Sequence, residues 1–241
     1  MASEPSLRGI DGCRAGWLML SRPDDGSPGP WRRVRAELVL DAEGLAAGAD
    51  EAICAIDIPI GLGEGPARRC DQEARRRLGP RRSSVFPAPP RPVLAAADHA
   101  EACRISRSLD GRGLSLQTWH ILPKVRQVDA LLRQRPELAQ RVREVHPELA
   151  FLHWNGGEPL RHGKRCREGR DERLALCERE FPGVWAAVRQ RFRRTQVADD
   201  DILDALALLR SAARLARGEA VVLPEGVVER DRLGLPMTIA Y

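Results

Sequence analysis

The sequence is poor in lysine, in aromatic side chains and in long apolar runs. Of its 39 basic residues only Lys124 and Lys164 are lysine, and aromatic residues make up 4% of the 241-residue chain. No apolar run approaches the roughly 20 residues of a membrane-spanning helix, which argues against a membrane protein. The first residues lack the basic start and apolar stretch of a secretion signal, so we expect a cytoplasmic protein.

Cysteine is present, but its spacing argues against the common cysteine-based sites. The six cysteines are scattered along the chain, with no C-x-x-C pair. This pattern does not favour a zinc site, and a chain of this length without a signal is a poor candidate for a disulfide framework. The sequence also contains neither G-x-x-x-x-G-K-[ST] nor G-x-G-x-x-G, so no phosphate-binding glycine loop is predicted.

Positive charge is in moderate excess and is carried almost entirely by arginine. The formal net charge is +5, and 43% of the residues are hydrophobic, which is enough for a folded domain with a sizeable core. Arginine suits bidentate contacts with phosphate, and a positive excess assists association with nucleic acid. Composition alone is compatible with a nucleic-acid partner but does not predict one.

The apolar segments predict alternating strands and helices. Strands are expected at 7–20 and 31–40, as a hairpin, and at 52–62, where a nearly continuous apolar run is typical of a strand at the centre of a sheet. A helix pair is expected near 94–107 and 123–135, and a short helix leading into a strand at 137–151. The other expected elements are helices at 42–50, 67–79, 170–181, 184–192 and about 200–217, and short closing strands at 220–224 and 236–241. This order predicts one α/β domain over 1–241, with a mixed sheet and a helical insertion at about 80–136.

Five acidic residues interrupt segments that are otherwise apolar. Asp11 lies in the first predicted strand and Asp57 in the central one. Glu148 is expected at the end of a later strand, and Asp201 and Asp204 begin the late helix. Because burying an unpaired carboxylate costs several kcal/mol, such a set requires a shared counter-charge. Either arginine or a divalent cation can supply it.

Spacing in the late helix favours the cation. Asp201 and Asp204 are three residues apart and share a helix face, and Asp200, four residues before Asp204, can do the same. The choice between Asp200 and Asp201 stays open. Mg²⁺ takes oxygen ligands, and two such ions can support phosphodiester cleavage. Capping of the helix start is the alternative role for these acids, and we assign it to Asp199 and Asp200.

Several short motifs, in order, resemble the DUF429 family, whose members are described as predicted ribonuclease H-like nucleases. The resemblance covers residues from about 8 to 241. The segments that carry it are GIDGCRAGW (9–17), AIDIPIGL (55–62), CDQEARRRLGPRRSSVFPAP (70–89), PKVRQVD (123–129), EVHPELAF (144–151), DDILDAL (200–206) and GLPMTIAY (234–241).

The resemblance implies a ribonuclease H-like α/β fold, in which a mixed five-stranded sheet is flanked by helices. The carboxylates it implies for catalysis and for binding Mg²⁺ or Mn²⁺ are Asp11, Asp57, Asp201 and Asp204, with Glu148 as an additional metal ligand. The residues it suggests for substrate contacts are Ser83, Ser84, Gln117, Lys124 and Lys164. The implied function is hydrolysis of phosphodiester bonds in nucleic acid by a two-metal mechanism.

Two other functions remain open. A phosphoryl-transfer or nucleotide-binding protein can share this fold core, although such proteins usually duplicate the domain and 241 residues are few for two copies. A non-catalytic nucleic-acid-binding protein would use the basic surface and keep the carboxylates for structure. Mutual repulsion among the acids argues against that last possibility.

Overall fold

A mixed five-stranded sheet forms the centre of the structure, a computed structural model that describes residues 6–24 and 29–241. Residues 1–5 and 25–28 of the predicted domain lie outside the described residues. The sheet order is β3-β2-β1-β4-β5, with antiparallel pairing among the first three strands and parallel pairing of β1 with β4 and of β4 with β5. The strands are Ser6–Cys13 (β1), Gly16–Pro23 (β2), Arg35–Val39 (β3), Ala52–Ile56 (β4) and Val142–Glu144 (β5). The α/β class with a mixed five-stranded sheet is therefore confirmed.

The segment predicted as one strand at 7–20 is two strands. A turn at Arg14 and Ala15 joins β1 to β2, and β3 pairs with β2. Gly16, directly after the turn, has φ of +144°, and a Cβ there would lie 2.4 Å from the carbonyl oxygen of Val39, so only glycine fits. The single-strand prediction was wrong because Arg and Ala are not among the residues that usually mark a turn.

The strand predicted at 52–62 is shorter than expected and does not lie at the centre of the sheet. It ends at Ile56, and the backbone N–H of Asp57 donates to the carbonyl oxygen of Ile10 at 3.1 Å. The central strand is β1, with β4 between β1 and β5. A nearly continuous apolar pattern indicates burial on both faces, which any inner strand of a covered sheet has.

Helices cover both faces of the sheet. Within the described residues there are eight α-helices: Ala42–Ala46 (α1), Arg69–Leu78 (α2), His99–Asp110 (α3), Leu116–Gln134 (α4), Pro147–Trp154 (α5), Arg167–Glu180 (α6), Val184–Arg191 (α7) and Asp199–Ala216 (α8). The 3-10 helices are Gly79–Ser84, Arg91–Ala95 and Pro136–Gln140. A pair of short strands, Val222–Leu223 (β6) and Ile239–Ala240 (β7), lies near the C-terminus. The helices of residues 6–24 and 29–241 include no candidate for a membrane span.

Two apolar clusters fix the helices against the sheet. On one face, Leu7 of β1 packs in a cluster with Leu206 and Leu209 of α8. On the other face, Ile10 of β1 packs in a cluster with Val125 and other residues of α4. Alternate residues of a strand point to opposite faces, so β1 contributes to both clusters and is buried between α8 and α4.

The predicted insertion at about 80–136 holds two of the 3-10 helices together with α3 and α4. Helix α4 begins at Leu116, seven residues before the predicted start, and contains Pro123 in its interior. The prediction placed a helix boundary at Pro123 because proline disfavours helix in the residue before it. The actual start is capped by Ser115, whose hydroxyl accepts from the backbone N–H of Thr118 at 3.0 Å.

Residues 137–151 were predicted as a short helix leading into a strand. In the structure this segment also contains the start of a further helix. The 3-10 helix and β5 come first, and α5 then begins at Pro147. Glu148, expected at a strand end, therefore lies in the first turn of α5. His146 caps this helix, because its Nδ1 accepts from the backbone N–H of Glu148 at 3.2 Å.

Candidate functional site

A cavity of about 600 Å³ lies at the carboxyl ends of β1 and β4. Residues from the insertion wall one side, and the segment 163–165 before α6 walls another. The ten residues selected from the sequence all line this cavity: Asp11, Asp57, Ser83, Ser84, Gln117, Lys124, Glu148, Lys164, Asp201 and Asp204. Residues that are up to 193 positions apart in the sequence are thus brought to one place by the fold.

Asp11 and Asp57 lie side by side because their strands run parallel. Ile10 of β1 is in register with Ile56 of β4, and each aspartate is the next residue along its strand direction. Burial raises the pKa of Asp11 well above its ordinary value, and the charges of Asp204 and Asp57 add to the effect. Burial likewise raises the pKa of Asp57 to about 6. The two carboxylates therefore form a pair that resists carrying full negative charge without a cation.

Asp204 reaches the same place from α8. Its residue exposure is 2%, and burial raises its pKa, while the charge of Lys164 opposes the increase. One carboxylate oxygen, Oδ2, accepts from the ammonium of Lys164 at 2.8 Å. The other, Oδ1, is buried and has no hydrogen-bond partner among the described residues. Such an orphaned buried acceptor is costly unless something binds it.

The three aspartates at the start of α8 have different contacts. Asp199 forms ion pairs with three arginines, including Arg189 at 3.2 Å. Asp200 lies 3.6 Å from the ammonium of Lys164. Asp201 lines the cavity, and its Oδ2 also accepts from the backbone N–H of Ala198 at 2.7 Å. Asp201 therefore both caps the helix and faces the cavity. The sequence pattern had assigned the capping to Asp199 and Asp200.

Glu148 has an arginine counter-charge. It accepts a hydrogen bond from the Nη2 group of Arg173, a fully buried side chain, and lies 3.7 Å from a guanidinium nitrogen of Arg81. Arginine pairing, one of the two counter-charges considered for the buried acids, thus accounts for Glu148. It lines the cavity but is already neutralised there.

The residues suggested for substrate contacts lie on the walls of the cavity. Ser83 and Gln117 are exposed, and Ser84 is partly buried. The carbonyl oxygen of Ser84 accepts from Nε2 of His146 at 3.2 Å, which ties this wall to the start of α5. The Lys124 side chain passes close to Gly12 and its ammonium lies 5.5 Å from the centre of the Trp17 ring.

A second charged group in the cavity wall was not predicted from the sequence. Arg68 donates to Asp71 at 2.6 Å and to Glu144 at 2.7 Å, and all three side chains are buried. Arg68 also donates to the carbonyl oxygen of Ile60 at 2.8 Å. Asp71 does lie in the segment 70–89 that carries the family resemblance, which could have marked it as a site residue. It was not selected because a charge-rich helix ordinarily presents its acidic residues to solvent.

Two further cavity residues were also missed, Arg81 and Phe86. Arg81 has a buried Nε without a hydrogen-bond partner in the described part of the chain, and its guanidinium lies close to Gly163. Phe86 is 40% exposed and lines the cavity. Both lie in the segment RRSSVFPAP that the family resemblance singled out, so the motif carried the signal.

No three acidic, histidine or cysteine side chains within residues 6–24 and 29–241 already form a metal-binding group. A cation would nevertheless suit the donor set that the structure offers. Asp11, Asp57 and Asp204 supply hard oxygen donors, the type that Mg²⁺ and Mn²⁺ prefer. The unpartnered Oδ1 of Asp204 is the atom that most needs such a partner.

The fold and the cavity define an α/β protein with a carboxylate cluster at the ends of parallel strands. The family model of DUF429, described as "Protein of unknown function (DUF429)", matches residues 9–229. The chain therefore belongs to the DUF429 family. No curated protein and no solved structure matched the chain.

Proposed function

We propose that this protein is a divalent-metal-dependent nuclease of ribonuclease H-like fold that hydrolyses phosphodiester bonds in nucleic acid. The observation that carries the proposal is the carboxylate cluster. Asp11, Asp57, Asp201 and Asp204 come from β1, the end of β4 and α8, and they line one cavity. Burial raises the pKa of each of them, so the cluster is poised to take up a cation.

The architecture supports the ribonuclease H-like assignment. The family resemblance leads us to expect a mixed five-stranded sheet with helices on both faces. It also leads us to expect acids in the first strand, at a later strand end and on a late helix. Asp11, Asp57 and Asp204 occupy those three kinds of position. Because likeness of fold does not define chemistry, the catalytic proposal rests on the cavity itself.

Asp11, Asp57 and Asp204 are the residues that would hold Mg²⁺ or Mn²⁺, with Asp201 beside them. A divalent cation bound there supplies Lewis-acid polarisation of the phosphodiester and offsets negative charge in the transition state. Glu148 is a weaker ligand candidate because Arg173 already neutralises it. Its role is structural, because its ion pairs with Arg173 and Arg81 connect α5 to other parts of the cavity wall.

The cationic side chains of the cavity have a separate role in the proposal. Lys124, Arg81 and Arg165 all line it and would bind the phosphate and stabilise charge that develops on its oxygens. Hydrolysis adds water across one P–O bond and leaves a phosphate monoester and a hydroxyl. A nucleic-acid partner agrees with the net charge of +5. The scattered cysteines support a reducing, cytoplasmic location.

A panel of labelled oligonucleotides, both DNA and RNA, single-stranded and duplex, tests this function with Mg²⁺ or Mn²⁺ present. We expect cleavage of at least one substrate, abolished by EDTA and by Asp57→Asn. Asp171→Asn is the matched control, because Asp171 is exposed and does not line the cavity. Cleavage that persists in both Asp11→Asn and Asp57→Asn would refute the proposal. A Mg²⁺-dependent thermal shift with ATP and none with oligonucleotides would favour phosphoryl transfer.

A further inference from the structure

The only two lysines of the chain both line the candidate cavity. Of the 39 Lys and Arg side chains, all the others are arginine, so the cationic side chains of these two types are otherwise guanidinium groups. A lysine ammonium is a compact point charge that fits where a planar guanidinium does not. Lys164 uses this property, because its ammonium lies 2.8 Å from Oδ2 of Asp204 and 3.6 Å from Oδ2 of Asp200.

The backbone that carries Lys164 is fixed by α6. A Cβ on Gly169 would lie 2.0 Å from the carbonyl oxygen of Gly163, so the loop and the helix are in direct backbone contact. Arg173 donates to the carbonyl oxygen of His162 at 3.3 Å and to that of Gly169 at 2.6 Å. Although the Lys164 side chain is 42% exposed, it therefore extends from an anchored loop into the carboxylate cluster.

The carboxylate cluster divides into two cation positions. Between Asp200 and Oδ2 of Asp204 the position is already filled by the ammonium of Lys164. The carboxylates left for a second position are those of Asp11, Asp57 and Asp204, through its Oδ1, and all three residues line the cavity. Oδ1 has no partner, and neither Asp11 nor Asp57 forms an ion pair with any residue in the described ranges.

We propose that Lys164 is a permanent cation in a site that binds one divalent ion. Its ammonium takes the position between Asp200 and Asp204 and leaves Asp11, Asp57 and Oδ1 of Asp204 for a single Mg²⁺ or Mn²⁺. This inference rests on the proposed function and replaces the expected two ions by one ion and one lysine. A lysine ammonium is positively charged at neutral pH.

Lys164 is a positioning residue in this arrangement. Its hydrogen bond to Oδ2 holds the Asp204 carboxylate, whose Oδ1 has no partner in the described part of the chain. It also prevents a second metal ion from binding between the two aspartates of α8, because a cation there would meet the ammonium at close range. Neutralising Lys164 should therefore open a second metal position.

Equilibrium binding of Mn²⁺ to the purified full chain, read from the electron paramagnetic resonance of free Mn²⁺, counts the bound ions. We expect one ion per chain for the unaltered protein and two for Lys164→Met. Lys164→Gln provides a second neutral variant if the methionine variant does not fold. Lys124→Met is the matched control, because it removes the other cavity lysine, which has no carboxylate partner within residues 6–24 and 29–241, and should leave the count at one.

Two bound ions on the unaltered protein, or one bound ion on the folded neutral variants of Lys164, would overturn the role assigned to Lys164. Neither result would contradict the proposal that the protein cleaves nucleic acid with a bound metal. Binding of no Mn²⁺ by the unaltered protein, together with no cleavage in its presence, would overturn the proposed function as well. The two failures are therefore distinguishable in one set of preparations.

Discussion

The backbone nitrogen of Leu209 lies 2.2 Å from the point that a Cβ on Gly9 would occupy, and the carbonyl oxygen of Ala205 lies 2.3 Å from it. Helix α8 thus rests directly on the backbone of β1 at a position that only glycine permits. Asp11 follows Gly9 by two residues and points to the same face of the sheet. Asp204 directly precedes Ala205, so this contact brings the two carboxylates together.

Replacing Gly9 by alanine should disrupt both stability and the site. A methyl group has no room between β1 and α8, and such overpacking typically costs about 1–3 kcal/mol. The helix would move away from β1 and take Asp204 with it, so metal-dependent cleavage should also fall. Urea denaturation gives the free energy of unfolding. Gly65→Ala is the control, because the nearest atom to its Cβ is 3.9 Å away. Equal stability of the two variants would contradict the close packing of α8 on β1.

The metal-free protein should lose stability as pH rises because of the carboxylate cluster. Burial raises the pKa of Asp57 to about 6 from an ordinary value of 3.8. A carboxyl group that binds its proton more tightly when folded contributes its full stability below the unfolded pKa. That contribution is lost as pH rises through about 6. Asp57→Asn removes this loss, so the variant should gain stability relative to the unaltered protein as pH rises from about 4 to about 8.

Urea denaturation of both proteins in EDTA, at intervals across that pH range, measures the difference in unfolding free energy. Taking the difference cancels the titration of carboxylates elsewhere in the chain. Added Mn²⁺ should stabilise the unaltered protein more at about pH 8 than at about pH 5, since bound metal requires ionised carboxylates. A difference between the two proteins that does not vary with pH would show that Asp57 is not perturbed by burial.

Phe86 should contribute to binding of single-stranded nucleic acid. It is exposed on the cavity wall in a chain with few aromatic residues, and stacking on an aromatic ring contributes roughly 1–3 kcal/mol per base. Phe86→Ala should therefore raise the Kd for a short labelled strand by about 5-fold to 150-fold, measured by fluorescence anisotropy in Ca²⁺ or EDTA to suppress cleavage. Leu40→Ala is the control, because Leu40 is 69% exposed and does not line the cavity. Similar affinities for the two variants would remove Phe86 from the binding surface.

The ion pairs of Arg68 should be structural. Asp71→Asn leaves the buried guanidinium short of counter-charge, and removing one partner of a buried pair typically costs about 3–5 kcal/mol. Glu225→Gln breaks the exposed pair with Arg77, and such surface pairs contribute about 0–1 kcal/mol. Urea denaturation compares the two variants. A loss for Asp71→Asn as small as that for Glu225→Gln would show that Glu144 alone neutralises Arg68.

The carboxylate cluster was predictable from the sequence because an acid within an apolar segment is costly to bury without a counter-charge. Asp11, Asp57 and Asp204 share that pattern, and the cavity brings them together. The pattern failed for Glu144 and Asp71, which lie in short or charge-rich segments where an acid suggests a solvated surface. Both acids pair with Arg68, which lies three residues before Asp71 and 76 residues before Glu144. No local pattern reveals that this arginine is buried with them.

Errors in the predicted elements have the same local origin. The turn at Arg14 and Ala15 carries no turn residue, and its geometry depends on Gly16 packing against Val39 in a neighbouring strand. Pro123 suggested a helix boundary, but packing of α4 against the sheet outweighs that preference. The contact between Lys164 and Asp204 joins a loop to a helix 40 residues later, so it required the folded structure.

The most direct test of the metal site is the anomalous diffraction of a crystal of the full chain soaked in Mn²⁺. We predict an anomalous peak in contact with Asp11, Asp57 and Oδ1 of Asp204, with the Lys164 ammonium still beside Oδ2. A soaked crystal whose anomalous peaks lie away from Asp11, Asp57 and Asp204, or that has none, would contradict the central claim that this cavity is a metal centre.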